Sequence, residues 1–91
     1  MKKLALIRVY GIVQGVGMRY SVYTKAVKLG LLGFVKNLPD GSVEIKAEGD
    51  EQAIQELIDY INTGLRWARV DDIHVFWQNP SGKFDKFEIK Y

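Results

Sequence analysis

Ser42-Val43-Glu44-Ile45-Lys46-Ala47-Glu48-Gly49-Asp50-Glu51-Gln52-Ala53-Ile54-Gln55-Glu56-Leu57-Ile58-Asp59-Tyr60-Ile61 changes its period part-way. Up to Gly49, Val43, Ile45 and Ala47 alternate with Glu44, Lys46 and Glu48, the pattern of a half-buried strand. From Asp50 onward the period lengthens. Ala53, Ile54, Leu57, Ile58 and Ile61 form an amphipathic helical stripe, and Asp50 is suited to cap its start. Asn62-Thr63-Gly64 ends the helix.

Toward the N-terminus, Leu38-Pro39-Asp40-Gly41 is a turn in which proline presets φ and glycine accepts a left-handed position. It joins the 42–49 strand in a hairpin to a strand over 31–37. Before that, Val22, Tyr23, Ala26, Val27 and Leu29 recur at helical spacing over 18–29, and Gly30 is a stop signal. A glycine-rich turn over 11–17 follows a first strand over 4–10, whose Ala5, Ile7 and Val9 share one face. On the C-terminal side, 69–77 reads as a strand, Asn79-Pro80-Ser81-Gly82 as a turn, and 84–91 as a closing strand. The order is βαββαβ plus a terminal strand. Right-handed crossovers then place both helices on one face of a mostly antiparallel sheet. The fold class is α+β, a ferredoxin-like two-layer sandwich, with residues 1–91 forming one domain and the other sheet face open to solvent.

With 91 residues, 47% hydrophobic and 26% charged, the composition is that of an average globular domain and argues against disorder. No apolar run nears the roughly 20 residues a membrane span needs. Arg8 breaks the basic-then-apolar start, so no secretory signal is expected and the compartment reads as cytoplasmic. The absence of cysteine excludes a disulfide scaffold, a thiol nucleophile and a thiolate-ligated metal. Charge is unevenly spread. Residues 1–39 hold seven bases and no acid, whereas the remainder holds six bases and all eleven acids. The N-terminal half is thus equipped to hold an anion.

That half contains Gly11-Ile12-Val13-Gln14-Gly15-Val16-Gly17-Met18-Arg19, joining a strand to a helix. Its glycines permit positive φ, it lacks proline, and its N–H groups can converge at a helix N-terminus as an anion nest. Arg19 falls in the first helical turn, where the helix dipole disfavours a cation unless an anion is bound. Its planar fork suits phosphate. Spacing alone also fits a glycine-rich turn with a surface arginine; the acid-free surroundings favour the anion site. The nucleotide P-loop ending and the third glycine of the dinucleotide fingerprint are both missing.

No general base lies in the acid-free half. His74 sits alone in a strand and reads as structural or solvated. Asp71 and Asp72 are adjacent on a strand and face opposite ways, a poor carboxylate pair. Ser21 and Thr24 lack a base partner. An enzyme here would hold an already reactive phosphate ester or anhydride and direct water at it. Asn37, ending the second strand, has an amide able to steer a water, although a turn-starting asparagine is the commoner role for such a position.

These residues resemble a known family. Val9 through Arg19 is similar to the first acylphosphatase signature, Gly-x-Val-Gln-Gly-Val-x-Phe/Met-Arg. Gly33-Phe34-Val35-Lys36-Asn37 with Asp40-Gly41-Ser42-Val43 and Gly49 resembles the second, and Ala68-Arg69-Val70 a weaker third element. The similarity spans essentially the whole chain. It implies the ferredoxin-like fold and hydrolysis of the carboxyl–phosphate bond of small acyl phosphates, releasing inorganic phosphate without metal or organic cofactor. By resemblance, Gln14, Gly15, Val16, Gly17, Met18 and Arg19 bind the substrate phosphate. Asn37 orients the attacking water, and a phosphate oxygen of the substrate takes its proton. A monomer is expected, with no nucleic-acid or membrane partner. Three departures stand out: Met18 for the usual phenylalanine, Ile12 for a basic or polar residue, and Gly64-Leu65-Arg66-Trp67 for Gly-Pro-Pro-x.

Two rival readings stand beside this one. An RNA-binding module would stack bases on the open sheet face. Gly33-Phe34-Val35-Lys36 faintly echoes its strand motif, and Tyr10 or Phe76 can face outward. Against it, the third strand presents Ser42, Glu44, Lys46 and Glu48, a non-aromatic and acidic set. The other rival is a regulatory or carbamoyl-phosphate-handling module of the kind found inside larger proteins.

Overall fold

Seven elements follow one another in the computed structural model, which describes residues 1–15, 17–65 and 68–91. They are β1 (Lys2–Ile12), α1 (Met18–Lys28), β2 (Leu32–Asn37), β3 (Val43–Asp50), α2 (Glu51–Thr63), β4 (Arg69–Gln78) and β5 (Phe87–Lys90). The strands form one sheet in the order β4-β1-β3-β2-β5. All pairings are antiparallel except β2 with β5, which is parallel. This is the expected ferredoxin-like α+β sandwich with a fifth strand added at one edge. Val16, expected in the phosphate loop, and the Arg66-Trp67 part of the connection before β4 lie outside the described residues.

Register explains the core. Ile7 pairs with Ile45 and with Val75, Ile45 with Val35, and Val35 with Ile89, so one row of branched apolar side chains crosses all five strands. Ala5, Val9, Val43 and Ala47 fill the neighbouring rows, fully buried. Ile54, Leu57, Ile58 and Ile61 of α2 close over this face, and Asp50 caps that helix by accepting from the Gln52 N–H at 2.9 Å. From α1 the buried residues are Met18, Val22 and Ala26, spaced four apart. Val27, expected in the apolar stripe, is half exposed: five residues past Val22 the helix has turned about 140° away from the packed face. A Schellman motif ends α1. Gly30, at φ 72°, donates to Val27, and Leu31 donates to Ala26.

The outer face is less open than its strand pattern predicts. Because β4 and β5 lie at opposite edges, residues 79–86 must cross the sheet, and they do so over its outer face. Ser81 and Gly82 donate to Glu48, and Phe84 packs edge-on to Phe34 at 6.3 Å. Glu48 and Phe34 are therefore buried. Ser42, also expected outward, is buried where Gln14 and Asp40 close over it. This crossing shortens the last strand, which begins at Phe87 and not at 84. Over β4 the face is exposed, as at Phe76, and over β1 it is half-buried.

One consequence of strand direction sets up the site. Both β1 and β2 run antiparallel to β3, hence parallel to each other, and β5 runs parallel to β2. Three C-terminal strand ends thus arrive at the same edge of the sheet.

Candidate active site

At that edge lies an open cavity of about 190 Å³. The end of β1 and the start of α1 contribute Val13, Gly15, Gly17, Met18, Arg19 and Tyr20; β2 contributes Asn37; Ile89 and Tyr91 come from the end of the chain. Among these described residues there is no side-chain carboxylate and no imidazole.

The loop geometry follows from its glycines. Gly15 has φ 74° and Gly17 φ 78°, left-handed values that disfavour any residue with a Cβ. A Cβ built on either would meet nothing within 4 Å, so the space in front of them is free for a ligand. Gly17 is the N-cap of α1, with no side-chain cap and no acidic residue in the first turn. The first intrahelical donor is Ser21, to the Gly17 carbonyl at 3.0 Å, which leaves the preceding first-turn N–H groups without helical acceptors. Those donors and the positive end of the helix dipole make this corner attractive to an anion.

Arg19 sits beside them, half-buried. Its guanidinium lies 4.7 Å from the Tyr91 ring centroid, and Nη1 donates to the Lys90 carbonyl at 3.4 Å. Among the described residues it makes no ion pair. Most of its five donors are left for a ligand. Asn37 faces the same cavity, and its Oδ1 is buried without a hydrogen-bond partner. An orphaned buried acceptor costs free energy and calls for a partner such as a water.

Of the residues expected at the phosphate site, Arg19, Asn37, Gly15, Gly17 and Met18 line this cavity. Gln14 does not line the cavity. Its Nε2 donates to the carbonyls of Leu38 at 2.8 Å and Ser42 at 2.9 Å, on the hairpin turn after Asn37. Nothing in the sequence pointed to Ile89 and Tyr91, because only the crossing of 79–86 brings β5 to this edge; nor was Tyr20, at the rim, singled out. The groups set aside lie elsewhere. His74 pairs with Asp72 at 2.9 Å on the outer face, Asp71 accepts from Arg69 at 3.0 Å, and Thr24 donates to the Tyr20 carbonyl.

Comparison with known proteins decides the family. The acylphosphatase family model matches residues 5–89. The chain belongs to the acylphosphatase family. It is 56% identical over 89 residues to the acylphosphatase of Caldanaerobacter subterraneus subsp. tengcongensis, covering 98% of this chain and 99% of that one. The crystal structure of acylphosphatase from Bacillus subtilis superposes with a TM-score of 0.90 at 42% identity, each chain covered in full. The HypF of T. kodakarensis is also similar, with a TM-score of 0.85 and 39% identity over 98% of this chain and 12% of that one. As an acylphosphatase the chain is a hydrolase: its substrate is an acyl phosphate and its product inorganic phosphate.

Proposed function

We propose that the cavity is where the anhydride is cleaved. The N–H groups of Gly15, Gly17, Met18 and Arg19, with the Arg19 guanidinium, hold the dianionic phosphoryl group. The Asn37 side-chain amide holds a water and aims it at phosphorus, in line with the carboxylate oxygen. As the water oxygen bonds to phosphorus, the bond from phosphorus to the acyl oxygen breaks and the carboxylate departs as its anion. The water's proton passes to a phosphate oxygen, and no side-chain carboxylate or imidazole among the described lining residues competes for it. Carboxylate and inorganic phosphate result. The loose transition state asks for positioning and charge stabilisation, which this site is built to supply without a metal or cofactor.

The observation that carries this reading is that Asn37, whose buried Oδ1 is orphaned, lines the same cavity as Arg19 and the left-handed glycines. Titration of ¹⁵N-labelled protein with inorganic phosphate tests it. The expected shifts are at the amides of Gly15, Gly17, Met18 and Arg19 and at the Asn37 side chain. Saturable shifts elsewhere, with these unmoved, would reject it.

The same proposal takes residues 1–91 as one domain holding the whole site, acting as a monomer in the cytoplasm without nucleic-acid or membrane partners. No helix of the described residues is long and apolar enough to cross a membrane. The covered Phe34 and the buried Glu48 leave no run of stacking aromatics across β2 and β3 for RNA. The likeness to 12% of HypF favours one alternative, a regulatory or carbamoyl-phosphate-handling module of the kind found inside larger proteins. Relative turnover of acetyl, benzoyl and carbamoyl phosphate separates the two.

A further inference from the structure

The two halves of the site stand on strands that do not touch. Asn37 is on β2 and the phosphate loop leaves β1, with β3 between them: Val9 pairs with Val43, and Val43 with Asn37. Two strand spacings, about 10 Å, separate the parts. The loop also holds two left-handed glycines with open space where a Cβ would stand, so their own side chains give it no anchor.

One side chain bridges that gap directly. Gln14 Nε2 donates to the carbonyls of Leu38 and Ser42, the residues that open and close the turn beginning next to Asn37. Those two residues are themselves joined, Leu38 N–H to the Ser42 carbonyl at 2.9 Å, and Gly41 N–H closes on Leu38 at 3.1 Å. A side-chain amide has two N–H hydrogens, and two carbonyls take both. The same carbonyls fix the amide's orientation, because a flipped oxygen would face two acceptors. The Oε1, which has no hydrogen-bond partner among the described residues, is an acceptor that a phosphate repels. The Gln14 side chain therefore has nothing to offer the substrate and everything to offer the geometry.

We infer that Gln14 is a positioning residue: it sets the separation between the phosphate cradle and the Asn37 water, so that cradle and water register on one phosphorus atom. This rests on the role proposed for Asn37. Loss of the brace leaves the local cradle able to bind phosphate while the water is misaimed, and misplacement of about 1 Å costs up to about 100-fold in rate.

A double-mutant cycle with Gln14→Met and Asn37→Ala, read with benzoyl phosphate well below each variant's melting temperature, tests it. Gln14→Met keeps the length and removes both donors. In the wild-type background it is expected to lower kcat about 10- to 100-fold, with inhibition by inorganic phosphate changed by less than about twofold. In the Asn37→Ala background it is expected to change kcat by less than about twofold, because its effect acts through Asn37. Equal losses in both backgrounds, or phosphate affinity falling as far as kcat, would overturn the inference. A fall in melting temperature with kcat intact would also overturn it, reducing Gln14 to a stability contact. If Asn37→Ala alone leaves kcat unchanged, the failure lies with the role of Asn37, and the brace falls with it. Should Gln14→Met not fold, Gln14→Asn keeps the amide but is one methylene too short to reach both carbonyls, and the same cycle is read with it.

Discussion

Glu48 holds Ser81 across the outer face of the sheet. The Ser81 hydroxyl and N–H donate to its Oε1 at 2.7 and 2.9 Å, and the Gly82 N–H reaches Oε2 at 2.9 Å. Burial by itself would raise this carboxyl's pKa, but the three donors outweigh it and hold the group below its ordinary 4.5. A carboxyl whose pKa is lower folded than unfolded stabilises the fold above the unfolded value and loses that contribution as pH falls through the folded one. Glu48→Ala is therefore expected to cost about 1.5–3 kcal/mol at pH 7. The gap to wild type should shrink as the pH is lowered below about 4.5, where the wild-type carboxylate takes up its proton. Urea melts at pH 7 and pH 3 read it, and an equal gap at both would show that packing, not charge, secures the crossing.

Arg19→Ala removes the one cation that lines the cavity among the described residues. Donors aimed at developing charge are worth on the order of 100- to 1,000-fold in rate. The variant is expected to lose that much in kcat/KM for benzoyl phosphate and to bind inorganic phosphate more weakly. Unchanged hydrolysis would remove the guanidinium from the mechanism.

Asn37→Ala separates activity from stability. It should lower kcat far more than it moves KM, since the amide orients water and not substrate. It also deletes a buried acceptor that has no partner, so melting is expected to stay level or rise by up to about 1 kcal/mol in stability. A variant that loses stability and activity together would place Asn37 in the framework instead.

Gly17→Ala is costly through the backbone alone. The position has φ 78° and free space around a built Cβ, so the penalty is conformational, about 1–2 kcal/mol, and not a clash. Relaxation of the cradle should weaken phosphate inhibition as well. Chemical denaturation and phosphate competition measure the two effects separately.

Much of this was legible in the chain. The alternation of Val43, Ile45 and Ala47 and the stripe of Ile54, Leu57, Ile58 and Ile61 became a strand and a helix with nearly those bounds. The left-handed glycines and the uncapped start of α1 follow from a loop rich in glycine and free of acids. These signals are local. They depend on residues a few positions apart, where periodicity, capping and turn chemistry act.

What the sequence by itself determined, then, is the element order, the inner faces and the residue types at the strand-to-helix corner. Only the tertiary structure decided that Ser42 and Glu48 are buried, that Gln14 braces the Asn37 turn, and that Tyr91 and Lys90 meet Arg19. Those partners are 24 to 72 residues apart along the chain. No local preference encodes such pairings. The Glu48 and Arg19 pairings arise because β5 must reach β2 from the opposite edge of the sheet, and the crossing this demands covers one face and delivers the chain's last residues to the site; the Gln14 pairings arise where the loop after β1 meets the turn after β2.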